Sequence, residues 1–153
     1  MKTIAAPGVL AALLGRLGAL RPDTPRLWGT LTPGEMLSHL ADSSASVLGR
    51  RRAAGPSAPA ASRPFRKWVG LYTALPWPKG LMTRPSVDPR ADGTRPGEFE
   101  EDRRRVIAGL EDLAAAPAAA LSPAHSHFGT MSRRDWHRWA YRHVDHHLRQ
   151  FGL

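Results

Sequence analysis

Trp136-His137-Arg138-Trp139-Ala140-Tyr141-Arg142-His143-Val144-Asp145-His146-His147-Leu148-Arg149-Gln150-Phe151-Gly152 carries four of the seven histidines of the chain. Positions 136, 140, 143, 147 and 151 recur at steps of three and four, so Trp136, Ala140, His143, His147 and Phe151 share one face of a helix. An apolar face of that kind turns toward a core. Imidazoles at i and i+4 stand one above the other and can reach one divalent ion, but a pair supplies only two ligands. His137 falls off this stripe and is expected to be solvated or to hydrogen-bond on the helix surface. His146 sits at its edge, where it can support a ligand, act catalytically or simply pack.

Working outward, Ser132 is placed to cap this helix over about 132 to 151, with Asp135 as its weaker partner. Before it, His125-Ser126-His127-Phe128-Gly129 reads as a loop with two exposed imidazoles. Phe99, Arg103, Val106, Ile107, Leu110 and Leu113 mark a helix over about 98 to 115, with Glu100, Glu101 and Asp102 in the first turn, where the helix dipole favours acids. The segment from Met82 to Gly97 holds Pro85, Pro89 and Pro96 and cannot form a regular element. A short helix fits 64 to 74, and Ala53 to Ser62 is a connection rich in small residues and proline.

Thr32-Pro33-Gly34-Glu35 is a capping box with proline at the first helical position, so a helix starts there and runs to about Gly49. His39 lies on its inward face with Met36, Leu40, Ser43 and Val47. Asp42, one turn later, either orients a ligand or faces water. Val9, Leu10, Leu13, Leu14, Leu17 and Leu20 give a first helix over about 7 to 20; Gly8, Gly15 and Gly18 interrupt this apolar run, which argues against a signal peptide. No stretch approaches an uninterrupted membrane span, so no membrane partner and a cytoplasmic location are expected. The reading is a single all-α domain over 1–153, a four-helix bundle with an additional short helix and a long proline-rich connection.

The chain has no cysteine, which excludes disulfides, thiolate-zinc sites and a protein thiol nucleophile. Its formal charge of +9 comes from 22 Lys+Arg against 13 Asp+Glu, and the excess is mostly arginine in a chain rich in Ala, Gly and Pro. Arg50-Arg51-Arg52 and Arg103-Arg104-Arg105 read as solvated helix faces or ends rather than a phosphate track, so nucleic acid is not expected as a partner.

His39 on the second helix and His143-Val144-Asp145-His146-His147-Leu148-Arg149-Gln150 on the last form a pattern that resembles the DinB-like superfamily of helical-bundle metalloproteins. There a second-helix histidine and an H-x-x-x-H pair on a later helix, often within H-x-x-H-H-R-G-Q, bind one divalent ion. Thr32 to Met36, Leu75 to Gly80, the His125 to Gly129 loop and the terminal His-His-Leu-Arg-Gln-Phe-Gly extend the resemblance to a subfamily of uncharacterised function. It implies the four-helix bundle of DinB/YfiT type and a divalent ion, zinc or nickel, on His39, His143 and His147. His146 and Asp42 become candidates for proton transfer or for support of the ligands. Characterised members use a low-molecular-weight thiol such as bacillithiol, mycothiol or glutathione, so a thiol and a small-molecule acceptor are the implied partners of a metal-dependent S-transferase. Leu148-Arg149 replaces the family's Arg-Gly, which puts any role of that arginine in doubt. A metal-dependent hydrolase and a non-catalytic scaffold with core histidines are the competing readings, and a homodimer is compatible with each.

Overall fold

The computed structural model describes residues 2–52 and 57–153. Five helices carry it: α1 (Val9–Ala19), α2 (Pro33–Val47), α3 (Arg63–Tyr72), α4 (Phe99–Ala115) and α5 (Arg133–Arg149). Each begins and ends within about two residues of its place in the periodicity, because caps and proline set the boundaries. At α2, Thr32 Oγ1 accepts from the Glu35 backbone N–H, and Glu35 Oε2 accepts in turn from Thr32 N–H. Ser132 and Asp135 form the same reciprocal box at α5, so the weaker partner expected there is a full one.

Leu13, Leu17, Leu20, Met36, Leu37, Leu40, Val106, Leu110, Leu113, Val144 and Leu148 are almost wholly excluded from solvent and form one core between α1, α2, α4 and α5. Each such side chain contributes about 1.5–3 kcal/mol of burial, which is what holds the bundle. α2 and α4 pack tightly at Gly109, where a Cβ would lie 3.0 Å from Ser44 Cβ. Arg16 ties α1 to α5 by donating to Asp145 Oδ1 at 2.7 Å and to the Leu153 carbonyl at 2.9 Å.

The proline-rich connection is held by arginines and a carboxylate rather than by regular structure. Arg90 grips Glu35 and the Thr30 carbonyl, Arg51 donates to the Ser86 and Asp92 carbonyls, and Arg142 donates to the carbonyls of Thr73 and Leu75. A 3-10 turn at Pro85–Val87 buries Val87 against α2. Part of the expected small-residue connection, 53–56, lies outside the described residues.

Three expectations are corrected. The His125 to Gly129 loop is a minimal hairpin, β1 (Ala124–His125) against β2 (Gly129–Thr130), and both imidazoles are half-buried, with His125 stacked on Phe128 at 4.6 Å between ring centroids. Two-residue strands carry no alternation to read. His137 is buried rather than solvated, with Nε2 unpartnered among the described residues. The arginine clusters are not simply solvated faces: Arg51 clamps the connection, and Arg103 is buried and donates to the Leu20 carbonyl. No described helix is long and apolar enough to cross a membrane.

Candidate metal centre

Helical pitch on α5 places His143 directly before His147, and burial of the opposite face of α2 brings His39 to them across 104 residues of chain. His39 Nε2 lies 3.0 Å from His143 Nε2, and His147 Nε2 lies 3.2 Å from the same atom. All three residues are buried or nearly so, and their ligand atoms fall within 4.8 Å of one another.

The outward nitrogens explain the inward ones. His39 Nδ1–H donates to the Val87 carbonyl at 2.8 Å, and His147 Nδ1–H donates to Gln150 Oε1 at 3.1 Å. Each of those protons fixes its ring as the tautomer whose Nε2 lone pair points inward. Gln150 is itself braced: its carbonyl accepts from Leu27 N at 2.6 Å, and its amide packs against Gly29, where φ of 86° and an approach of 3.1 Å to a would-be Cβ call for glycine.

Burial is the main cause that pushes His143 and His147 well below the usual histidine value, and the neighbouring imidazoles add to it. His39 is lowered by burial too, against the pull of the Val87 carbonyl and of Asp88. All three are therefore neutral at pH 7. The Nε2 lone pairs of His39 and His147 both point at His143 Nε2, which meets them with a shared proton in the metal-free protein or alongside them on a cation. Tetrahedral coordination at about 2.0–2.1 Å separates imidazole nitrogens by about 3.3 Å, close to the spacings found. The donor set thus fits a divalent ion with open positions, and three buried histidines can hold one.

Aromatic rings wall the cluster. Trp139 stacks on His143 at 4.6 Å between centroids. His146 is half-buried beside it, 5.4 Å from the His147 ring, 4.9 Å from Trp28 and 5.8 Å from Trp77. Burial first, with nearby arginines, brings its pKa down to about 4, so it too is neutral at pH 7.

Asp42 is not brought into the cluster. It is buried, accepts from Thr94 N at 2.7 Å and Thr94 Oγ1 at 2.9 Å, and lies 3.5 Å from Arg51 Nη1 and 3.6 Å from Arg105 Nη2. Its carboxylate fastens the connection whose Val87 carbonyl orients His39. Asp42→Ala should therefore lower the unfolding free energy by about 2–4 kcal/mol, read by urea titration, through loss of a buried acceptor from charged and backbone donors. Folded variant that keeps the metal uptake of the wild type marks a structural role; lost uptake at unchanged stability would mark a ligand role.

The sequence reading missed Arg84, whose guanidinium reaches the hairpin through Ser126, and Trp28 and Trp77 as walls of the centre. Their rings and charge are far apart in sequence and carry no spacing signal. Among curated proteins and among solved structures, none matches the chain significantly. Residues 5–151 match the DinB superfamily, which spans the bundle and all three clustered histidines; the chain belongs to that superfamily.

Proposed function

We propose that the chain is a divalent-metal-binding protein that works as a metal-dependent thiol S-transferase, with zinc or nickel on His39, His143 and His147. One observation carries the reading: three neutral Nε2 atoms converge while the outward Nδ1 atoms of His39 and His147 are tied to acceptors. When bound, the ion supplies a Lewis acid that favours the thiolate form of an incoming thiol. With no cysteine in the chain, the nucleophilic sulfur arrives with a cosubstrate.

The chain's own residues then have distinct tasks. Val87 and Gln150 orient the ligand rings, and Asp42 holds the segment that carries Val87. Trp28 and Trp77 exclude water around His146. His146 accepts the thiol proton at its free nitrogen and returns it to solvent at its half-exposed edge. The sulfur forms a bond to an electrophilic carbon of the acceptor, and the displaced group leaves with the electron pair of the bond that breaks.

The test loads the protein with zinc or nickel and follows consumption of glutathione, mycothiol or bacillithiol with a chromogenic aryl halide. Thiol-dependent turnover is expected, and His146→Ala should slow it by about 100-fold or more, the usual size of an acid–base contribution, without loss of metal. Metal-loaded protein that consumes no thiol would overturn the transferase. Ester hydrolysis without thiol would favour the hydrolase, and failure to take up either ion would favour the scaffold.

A further inference from the structure

α3 turns its basic side inward and its aromatic side outward, the reverse of a surface helix packed on a core. Lys67 donates to the Thr130 carbonyl and pairs with Asp135 at 2.6 Å, and Arg63 donates to the Ala58 carbonyl. Phe65, Trp68, Val69 and Tyr72 fall at i, i+3, i+4 and i+7 and share the opposite face. Phe65 is 68% exposed and Trp68 59%, with ring centroids 6.4 Å apart, and Tyr72 is 39% exposed. Leu75, three residues past Tyr72, is exposed as well. Apolar residues scattered singly on a surface are ordinary, but adjacent aromatic rings along one helix face mark a surface that is covered in use.

Charge around this face says what covers it. The chain has no Asp or Glu between Asp42 and Asp88, and eight Lys and Arg fall in that stretch. Arg66 stands exposed at the edge of the face and bonds only to Ser62 Oγ, on its own helix. From α5, the exposed Arg134 guanidinium has no partner among the described residues, and its charge acts on the Tyr72 hydroxyl. Arg138 lies over the Tyr72 ring at 4.1 Å with Nε and Nη1 unpartnered. Asp135, the carboxylate packed against this end of α3, is buried and taken up by Lys67 and Tyr72. Positive charge therefore surrounds the aromatic rings without local compensation.

We propose that α3 docks the protein on an anionic bilayer surface, with Phe65, Trp68 and Tyr72 at the boundary of headgroups and acyl chains and Arg66 and Arg134 against lipid phosphates. Aromatic rings beside uncompensated arginines are the chemistry of an interfacial anchor. Side chains more than half exposed project from the helix, which suits insertion, whereas a peptide helix would call for a groove. A second copy on the same face would set Arg66 and Arg134 against their own equivalents. An interfacial helix needs no span, so the expectation of no membrane partner holds only for a crossing one. This docking does not depend on the metal centre.

The test co-sediments the full chain with vesicles of equimolar phosphatidylcholine and phosphatidylglycerol, or of phosphatidylcholine alone, using wild type, Phe65→Ser, Trp68→Ser and Arg134→Glu. Wild type should bind the anionic vesicles and bind phosphatidylcholine at least about tenfold more weakly. Each serine variant, checked for folding by circular dichroism, should weaken binding to the anionic vesicles by about tenfold. Arg134→Glu should cost about tenfold at low salt and less at high salt. Binding that both serine variants leave unchanged would rest on charge alone and overturns docking through α3. Equal binding to the two vesicle types overturns the anionic class, and binding to neither overturns the bilayer. A lipid-free dimer in sedimentation velocity that both serine variants dissolve assigns the face to a second copy instead. Should the serine variants fail to fold, tryptophan quenching by brominated acyl chains decides: it should fall in Trp68→Phe, and unchanged quenching refutes insertion of Trp68.

Discussion

His143→Ala should abolish stoichiometric metal retention, with affinity for zinc or nickel falling by more than about a hundredfold, because on the proposed reading it deletes a ligand rather than one of its supports. His143 is the member the other two share: its Nε2 is 3.0 Å from that of His39 and 3.2 Å from that of His147. Without it, the remaining two imidazoles sit on different helices and leave the ion under-coordinated. The measurement is elemental analysis after dialysis, on protein purified without a metal column. His127→Ala, on the hairpin rather than in the cluster, is the control and should keep its metal. Removing the imidazole also opens a hole beside Trp139, which stacks on it, so each variant is compared only after its melting curve shows a folded population. Equal metal content in His143→Ala and wild type would sink the three-ligand arrangement, and a wild type that takes up neither ion would sink the metal reading.

The helices could be read from the sequence because each has a local cause. Thr32-Pro33-Gly34-Glu35 caps α2, Ser132 and Asp135 cap α5, and the inward stripes repeat at helical pitch. Half of the cluster was legible for a related reason, since His143 and His147 are one turn apart; His39 lies within a buried stripe, where spacing alone reads as a core residue, and only the resemblance to the DinB-like superfamily joins it to the pair. What remained hidden depends on contacts across long stretches of chain. Asp42 has no local partner that betrays its bond to Thr94, 52 residues away. Arg84 lies in a proline-rich segment without periodicity, and only the folded hairpin shows that it reaches Ser126. His137 is off the main stripe and is still buried, because α5 is covered on more than one side: the N-terminal segment reaches it through Ile4 N and the His137 carbonyl at 3.2 Å. A single hydrophobic stripe does not reveal a second covered face.

Acid should unfold the metal-free protein steeply, beginning where free histidine titrates. In the unfolded chain the imidazoles titrate near 6.5. In the native chain burial lowers His39, lowers His143 and His147 well below that value, brings His146 to about 4 and brings His125 to about 3. Between pH 6.5 and about 4 the unfolded state therefore binds protons that the native state excludes, so stability rises with pH across the window. Their contribution is complete above 6.5 and is lost as pH falls below it. Each excluded proton is worth about 1.4 kcal/mol per pH unit, so the three cluster histidines alone give a slope of up to about 4 kcal/mol per unit. A domain of this size holds on the order of 5–15 kcal/mol, which that slope consumes within a few pH units. The carboxylates do not mask the effect: Arg90 holds Glu35 near a pKa of about 2, and Lys67 and Tyr72, against burial, hold Asp135 at about 2. Their protonation belongs to lower pH. Urea unfolding of the metal-free protein at pH 7.5, 6.5, 5.5 and 5.0 measures the slope, and a flat profile across these points would refute the burial of neutral imidazoles. His143→Ala removes one excluded proton and should reduce the slope by about a third of the cluster's share. Bound zinc raises stability at pH 7 and is released over the same window, since protons compete for the same Nε2 lone pairs, so the loaded protein should show the steeper loss of the two.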